Sequence, residues 1–429
     1  MQAMEGSKAT AAVATADAPD QHIRHGTPAF RRTNWALFAA GFSTFGLLYC
    51  VQPLMPAFSH AYGVSAAASA LSLSLTTGVL AFAMLFMGGV SDAFGRKPVM
   101  VLSLLVSSCL VLLSALMPNW SALLALRMLL GLTLSGVPVV AMTYLGEEVH
   151  AESLGLGMGL YISGNAVGGM SGRLIAGVLA DFFGWRMGMG AIGAIGLLVA
   201  LMFWRALPPS RYFVAQPLRL RSLAGRFAGL FRDRGLPWLF AEGFLLLGAF
   251  VTVYNYLGYR LMAPPFDLSQ AVVGLIFGIY LIGTFSSAWM GHLAGKLGRR
   301  KVLWTAFALM LAGTLLTLAE SLWLILPGIV AITFGFFGGH SIVSSWVGRR
   351  GGSAKAQASS MYLFAYYMGS SLAGASGGLF YAAHGWNGVA VFIGALVLAG
   401  LLIALGLTRL TPLVNVATPP TPMSKGAMP

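Results

Sequence analysis

The sequence predicts an all-α membrane protein: twelve transmembrane helices in two pseudo-symmetric six-helix bundles. Three observations carry this. Of 429 residues, 57% are hydrophobic and 9% charged, against about 25% charged in soluble domains. So few ionisable side chains cannot clothe a soluble fold of this length, and lipid must cover most of the surface. Stretches free of Asp, Glu, Lys and Arg recur at span length, and a glycine-rich basic loop stands twice, 203 residues apart.

Residues 33–91 carry no charge and hold two spans, placed at 35–54 and 69–90. Uncharged stretches at 98–126, 128–146, 153–172 and 187–204 place the next four at 99–117, 121–145, 155–180 and 187–207. Those at 243–259, 268–295, 302–319 and 321–348 place helices at 237–258, 271–291, 302–319 and 322–346. Residues 356–408 have room for two more, at 357–383 and 388–407. Helices are required because lipid offers no partner to a free backbone N–H, and no short dyad alternation suggests a barrel.

The domain plan follows. Residues 1–33, rich in Ala, Thr and charge without apolar periodicity, are expected to be a disordered cytoplasmic tail with no cleavable signal. The first bundle is 34–207 and the second 237–408. Between them, 208–236 opens with Pro208-Pro209, is loaded with arginine, and reads as a basic cytoplasmic loop whose segment Leu218–Phe231 lies along the inner surface. Residues 409–429 form a second cytoplasmic tail. Cys50 and Cys109 both stand in apolar runs and are expected to be packing residues.

Basic flanks stay on the cytoplasmic side. With both termini inside, 22 of the 26 Lys and Arg residues fall in cytoplasmic segments, Arg186 and Arg260 lie outside, and Arg127 and Arg173 remain in the membrane. The net charge of +14 is therefore topology, dispersed over loops with no basic domain to bind nucleic acid.

The halves repeat. Gly88-Gly89-Val90-Ser91-Asp92-Ala93-Phe94-Gly95-Arg96-Lys97 follows the second helix, and Gly291-His292-Leu293-Ala294-Gly295-Lys296-Leu297-Gly298-Arg299-Arg300 follows the eighth. Gly184-Trp185 recurs as Gly385-Trp386. This loop pattern, in a six-plus-six arrangement with a long central loop, resembles the major facilitator superfamily of secondary transporters over about 35–407. The resemblance implies a gate at Gly88, Asp92, Gly95, Arg96, Gly298 and Arg299, in which Asp92 pairs with Arg96 and a facing helix end to hold the cytoplasmic side shut. Ala93 replaces a usual basic residue and Gly295 the second acid, so the relay should be strong in the first half and weak in the second. Arg127-Met128-Leu129-Leu130-Gly131 resembles the family's proton-coupling element. Gly164-Asn165-Ala166-Val167-Gly168-Gly169 resembles its antiporter element, with Asn165 in place of proline. The glycines of the fifth helix equally suit a plain packing face. With Tyr254–Leu261 ending the seventh helix, the chain is similar to the bacterial drug:proton antiporter and arabinose-efflux branch, which implies multidrug-type efflux.

Ionisable residues within spans are the functional candidates, because charge at a helix centre is costly. Arg127 and Arg173 sit at similar depth and are expected to line one cavity wall in the outer half. Glu242 and His340 lie at matching depths in the inner half. Glu242, the only carboxylate within a span, is the best proton carrier, although capping or snorkelling at the interface is its alternative. Arg127, Arg173, Glu242 and His340 form the expected proton-coupling set. Tyr49, Gln52, Asn165, Tyr254, Asn255, Tyr280, Tyr366 and Tyr367 are the expected substrate contacts near the midplane. Pro53 and Pro138 are expected to bend their helices. Two arginines against one glutamate suggest tolerance of an anionic or polyhydroxylated molecule.

An ATP-driven pump would need a phosphate cradle, and Gly291–Leu297 has the wrong spacing. An embedded enzyme would need a convergent nucleophile and base or a metal site, and the seven histidines are scattered. The expectation is thus a monomeric, cofactor-free secondary transporter of the bacterial inner membrane. It would export a small molecule in exchange for protons, with facilitated or proton-driven uptake as the alternative.

Overall fold

Why the helices begin and break where they do is visible in their caps. The computed structural model describes residues 22–215, 225 and 227–410. The helices are α1 (Pro28–Tyr62), α2 (Ala66–Phe94), α3 (Arg96–Ala115), α4 (Trp120–Glu148), α5 (Ala151–Phe183) and α6 (Trp185–Ala206). The second set is α7 (Leu236–Leu261), α8 (Gln270–Leu297), α9 (Arg299–Leu316) and α10 (Leu322–Arg350). A final run, Lys355–Leu407, is two helices, because His384 and Gly385 leave helical geometry inside it; the arms are α11 (355–383) and α12 (386–407). These are the twelve expected helices, and no strand occurs among the described residues.

Side-chain caps set several starts. Ser65 accepts from the Ala68 N–H and Asn119 from the Ala122 N–H, at 3.1 and 2.8 Å. Thr27 accepts from Phe30, and Pro28 stands at the first helical position. The first helix therefore begins inside the segment 1–33 expected to be disordered. Ahead of it, Ile23 exchanges backbone bonds with Glu148 and His150, at 2.8 and 3.1 Å. The rest of the expected N-terminal tail, most of Leu218–Phe231 and most of 409–429 lie outside the described residues.

The duplication is structural. Gly95 and Gly298 both have φ of +95°, and Gly184 and Gly385 have φ of +83° and +57°, so each repeated turn rests on a left-handed residue that glycine adopts freely. Within the first bundle, Cβ atoms at Gly164, Gly168 and Gly172 would stand 2.2 Å from Phe38 O, 2.1 Å from Phe42 O and 2.6 Å from Gly46 Cα. The stripe lets α5 lie directly on α1. Gly369 of α11 does the same against Phe244 O of α7, at 2.0 Å. Those fifth-helix glycines are a packing face inside one bundle.

The bundles meet at the end remote from the repeated loops. Gly177 of α5 faces Gly274 of α8, where a Cβ would stand 3.0 Å from the opposing Cα. Gly378 of α11 faces Ala67 of α2, where it would stand 2.3 Å from Cα. The two contacts are pseudo-symmetric. Tyr259 donates to Met55 O and Gln270 to Pro53 O across the same seam, at 2.8 and 3.1 Å. Ser371 reaches Ser74 O at 2.7 Å. Toward the loop end, the last cross-bundle ring contact among the described residues is Phe82 with Phe364, at 5.1 Å. Among the described residues the bundles are thus joined at the far end, and no hydrogen bond or ring contact joins them at the loop end. Leu102, Leu198, Trp323 and Leu402 are exposed on the outer faces, the surface a bilayer covers. Cys109 is also exposed there, so of the two cysteines expected to pack, only Cys50 is buried.

At the loop end of the second bundle, Asp233 caps α7, accepting from the Gly235 and Leu236 N–H groups at 2.8 Å each, and pairs with Arg350. Burial pushes its carboxyl up, but the Arg350 hydrogen bond and charge and the two N–H groups outweigh this and hold it below the ordinary value of 3.8. A carboxylate held low stabilises the fold above its unfolded value and loses that contribution as pH falls through its folded one. The melting-temperature gap between the wild type and Asp233→Asn should therefore be constant above about pH 5 and close on acidification below it.

Candidate functional site

Three clusters of polar side chains occupy the bundles. At the first repeated loop, Arg96 accepts nothing and donates widely. Its Nη1 reaches Asp92 Oδ1 at 2.5 Å and Ser91 Oγ at 2.6 Å, and its Nε and Nη2 grip Glu147 in a two-pronged pair at 3.0 and 2.6 Å. The Phe213 ring covers the guanidinium at 5.4 Å. Asp92 and Arg96 pair as expected, and the facing helix end is that of α4, inside the same bundle. The clamp therefore braces the α2–α3 turn against α4 while the loop end stands open. In the second copy, Arg299 meets Ser345 Oγ at 3.0 Å and, among the described residues, no carboxylate. Position 350, 203 residues after Glu147, is an arginine paired with Asp233 instead. Gly88 lies inside α2, short of its end at Phe94, with open space where its Cβ would stand, so no packing demand fixes it.

The second cluster surrounds an interruption in α1. Residues Pro28–Tyr49 form one helical segment and Met55–Tyr62 another, joined by a 3₁₀ turn at Gln52–Leu54. Pro53 has no N–H to donate back along the helix, and the α-helical ladder of α1 is interrupted there. Carbonyls freed at such a break need donors. Arg127, fully buried, supplies them: Nη1 to Leu47 O at 3.2 Å, Nη2 to Leu48 O at 2.7 Å, and Nε to Ser72 O of α2 at 2.8 Å. Each of its three nitrogens bonds a backbone carbonyl. The expectation that Arg127 and Arg173 line one cavity wall is therefore corrected, because Arg127 is enclosed between α1, α2 and α4. Pro138 breaks α4 similarly, between Trp120–Leu134 and Pro138–Glu148.

Arg173 approaches the same interrupted turn from α5. Its Nε donates to Gln52 Oε1 at 2.6 Å and its Nη1 to Gly169 O at 2.6 Å. Gln52 Nε2 then donates to Asn255 Oδ1 of α7 at 2.8 Å, crossing between the bundles. The guanidinium lies 4.1 Å from the Tyr49 ring centre, 4.6 Å from Tyr280 and 5.4 Å from Phe277. Five residues expected at the site, Tyr49, Gln52, Arg173, Asn255 and Tyr280, are thus one assembly.

The third cluster is in the second bundle. Glu242 is fully buried with neither carboxylate oxygen hydrogen-bonded. Tyr362 of α11 lies against α7 there, close enough that a Cβ at Gly243 would touch its ring at 2.5 Å, and its hydroxyl bonds His340 Nδ1 at 2.8 Å. The Tyr366 ring stands 4.7 Å from the His340 ring, and Tyr367 packs edge-on to Tyr366. Glu242 neither caps its helix nor reaches the interface.

Tyr254 bonds Thr333 Oγ1 at 2.8 Å between α7 and α10, and its ring stands 5.0 Å from Tyr280 and 5.1 Å from Phe277, so it adjoins the Arg173 assembly. One expected contact sits elsewhere. Asn165 faces α1, where a Cβ at Gly41 would stand 2.3 Å from its Oδ1; it packs within the first bundle and joins none of the clusters. Sequence reasoning missed Glu147, Phe277 and Tyr362. The paired acids Glu147-Glu148 at the end of the fourth helix were the one available signal. A wholly apolar groove between α8, α9 and α10, lined by Trp289, Pro327 and Phe334, opens toward lipid and touches none of these groups.

Comparison with known proteins agrees with this architecture. The pattern of the Major Facilitator Superfamily matches residues 37–266 and 245–426. The inner membrane transport protein YnfM of Escherichia coli is 53% identical over 391 residues, covering 91% of this chain and 94% of that one. The uncharacterized MFS-type transporter YybF of Bacillus subtilis is 47% identical over 388 residues, covering 90% and 96%. Among solved structures, the nucleoside transporter NupG superposes with a TM-score of 0.72 at 15% identity, covering 87% of this chain and 99% of that one. A bacterial homologue of the human lysosomal transporter Spinster, inward-facing and unoccupied, gives 0.68 at 17% identity, covering 89% and 97%. These two likenesses concern the fold alone.

Proposed function

The chain belongs to the Major Facilitator Superfamily and is a multi-pass membrane transporter rather than an enzyme, and on that premise we propose that it exports a small organic molecule from the bacterial cytoplasm in exchange for protons. The carrying observation is Glu242, buried without a partner for either oxygen. An isolated charge there costs several kcal/mol, roughly, so the group rests as the neutral acid, holding its proton. With the basic loops in the cytoplasm, the parted end faces inward, and a proton loaded from outside waits on Glu242 for release. Tyr362 and His340 form the route out of the pocket. Arg96 with Asp92 and Glu147 steadies the inner end of the first bundle while the second moves. The gap between the bundles admits the substrate, and no cofactor is required.

The test uses proteoliposomes. Glu242→Gln, which keeps the shape of the neutral acid, should lose accumulation driven by a pH difference by about 100-fold or more, as expected when the coupling group no longer titrates, yet retain substrate exchange. Persistence of pH-driven accumulation in the variant removes Glu242 from the cycle. Flux into the compartment that also gains protons would establish uptake in place of export.

A further inference from the structure

We propose that Arg173 is the anchor for an anionic substrate, a small organic carboxylate with a planar or apolar body. Its role as a cargo site rests on the transport reading above; its role as a carboxylate site does not.

Arginine only donates, so the Gln52 atom facing it is the oxygen, and the Gln52 amide nitrogen is then committed to Asn255 Oδ1. The network runs outward from the cation as a chain of donors, and at its end the Asn255 amide nitrogen is buried with no acceptor. Nothing in it offers negative charge. Arg173 is 2% exposed, and no carboxylate among the described residues lies within ion-pairing distance of it. Arg127, equally without an acid, has backbone oxygens on Nε, Nη1 and Nη2; Arg173 has protein partners on Nε and Nη1 alone. The Tyr280 hydroxyl, in the ring 4.6 Å from the guanidinium, is also buried without a partner. A buried cation beside an unfilled hydroxyl lacks an acceptor bearing charge. The flanking rings of Tyr49 and Phe277 would receive the flat or apolar remainder of a ligand, and the faces of Tyr49 and Tyr280 answer only part of the charge.

Position adds a consequence. Arg173 and Tyr49 belong to the first bundle, Asn255, Phe277 and Tyr280 to the second. A carboxylate held between Arg173 and Tyr280 ties the bundles together, so its arrival and departure act on the equilibrium between open and closed ends.

The experiment uses the purified full-length protein in lipid nanodiscs. A panel of aromatic and short aliphatic monocarboxylates is titrated, each against its own primary amide, with intrinsic fluorescence and thermal shift as readouts. At least one carboxylate should bind 10-fold or more tighter than its amide. Arg173→Gln should abolish that preference, Arg173→Lys should keep part of it, and Tyr280→Phe should weaken it several-fold; Arg173→Lys keeps the test valid if the neutral variant fails to fold. Equal binding of acids and amides throughout, or a preference that survives Arg173→Gln, overturns the assignment. A carboxylate that binds through Arg173 but shows no pH-driven flux upholds the site and defeats the export reading. Export of an uncharged solute with no carboxylate binding defeats the site alone.

Discussion

Leucine at position 378 should lock the transporter out of its inward-open state. Gly378 faces Ala67 across the two bundles, where even a Cβ would stand 2.3 Å from a backbone atom and 2.4 Å from the alanine methyl. Neither neighbour is the tip of a flexible side chain, so α2 and α11 must separate. Overpacking of this kind costs about 1–3 kcal/mol, and a penalty of about 3 kcal/mol placed on one of two conformations shifts their ratio by about 100-fold. Transport should fall by a comparable factor while the protein still inserts and folds, since the clash exists only when the outer end is closed. Gly177→Leu, at the pseudo-equivalent contact with Gly274, should act in the same direction. Gly394→Leu is the control, because open space surrounds that position. Transport initial rates and outer-loop cysteine labelling check the set, and normal rates in Gly378→Leu would mean that this seam is not part of the cycle.

Arg127→Ala should be among the most destabilising single changes in the first bundle. It removes the guanidinium from Leu47 O, Leu48 O and Ser72 O in a site that water does not reach; Ser72 O keeps the Thr76 hydroxyl at 3.0 Å and Leu47 O the weak Cys50 thiol at 3.4 Å, so Leu48 O bears the largest loss. A buried polar group left unpaired costs about 1–3 kcal/mol, and the emptied volume of the side chain adds to it, so the loss is about 2 kcal/mol or more. Thermal unfolding in detergent measures it. Arg127→Lys should recover only a fraction, since one ammonium cannot span three carbonyls on two helices. Unchanged stability with lost proton coupling in Arg127→Ala would return the residue to the coupling set. The contrast with Glu242→Gln, which should leave stability intact and remove coupling, separates a scaffold role from a carrier role.

How far the sequence reaches is shown by these same residues. The spans were legible because lipid forbids charge over a whole segment, a demand that composition meets without regard to packing. The repeated turns were legible because only glycine takes a positive φ freely, and Gly95, Gly184, Gly298 and Gly385 all do so. Pro53 and Pro138 announced the breaks in α1 and α4, whereas the 3₁₀ turn at Phe277–Ile279 in α8 contains no proline and gave no signal. The start of α1 was placed late because Arg31 and Arg32 end the uncharged stretch, although the cap at Thr27 precedes them. Depth along a helix follows from counting, but rotation about it does not. Arg127 and Arg173 therefore looked alike, and only packing assigns one to the backbone of α1 and the other to the junction of the bundles. Asn165 was misplaced for the same reason. Glu242 and His340 share a depth that counting gives, whereas Tyr362, whose ring lies against Gly243 and whose hydroxyl bonds His340, comes from a third helix that no count could bring there.

The central claim is that the two bundles rock about the Arg173–Gln52–Asn255 junction so that one end closes as the other opens. Pulsed electron paramagnetic resonance tests it most directly, with Cys50 and Cys109 replaced by alanine and spin labels at two pairs of sites. Gly155 with Gly295 reports the cytoplasmic end, where both positions have room for a side chain. Gly190 with Val391 reports the outer end, where Val391 is exposed. On changing pH across the range in which Glu242 gains and loses its proton, the first distance should shorten as the second lengthens, and Glu242→Gln should remove the response of both to pH while substrate still shifts them. Distances that change in the same sense, or that stay fixed while transport proceeds, would contradict the account.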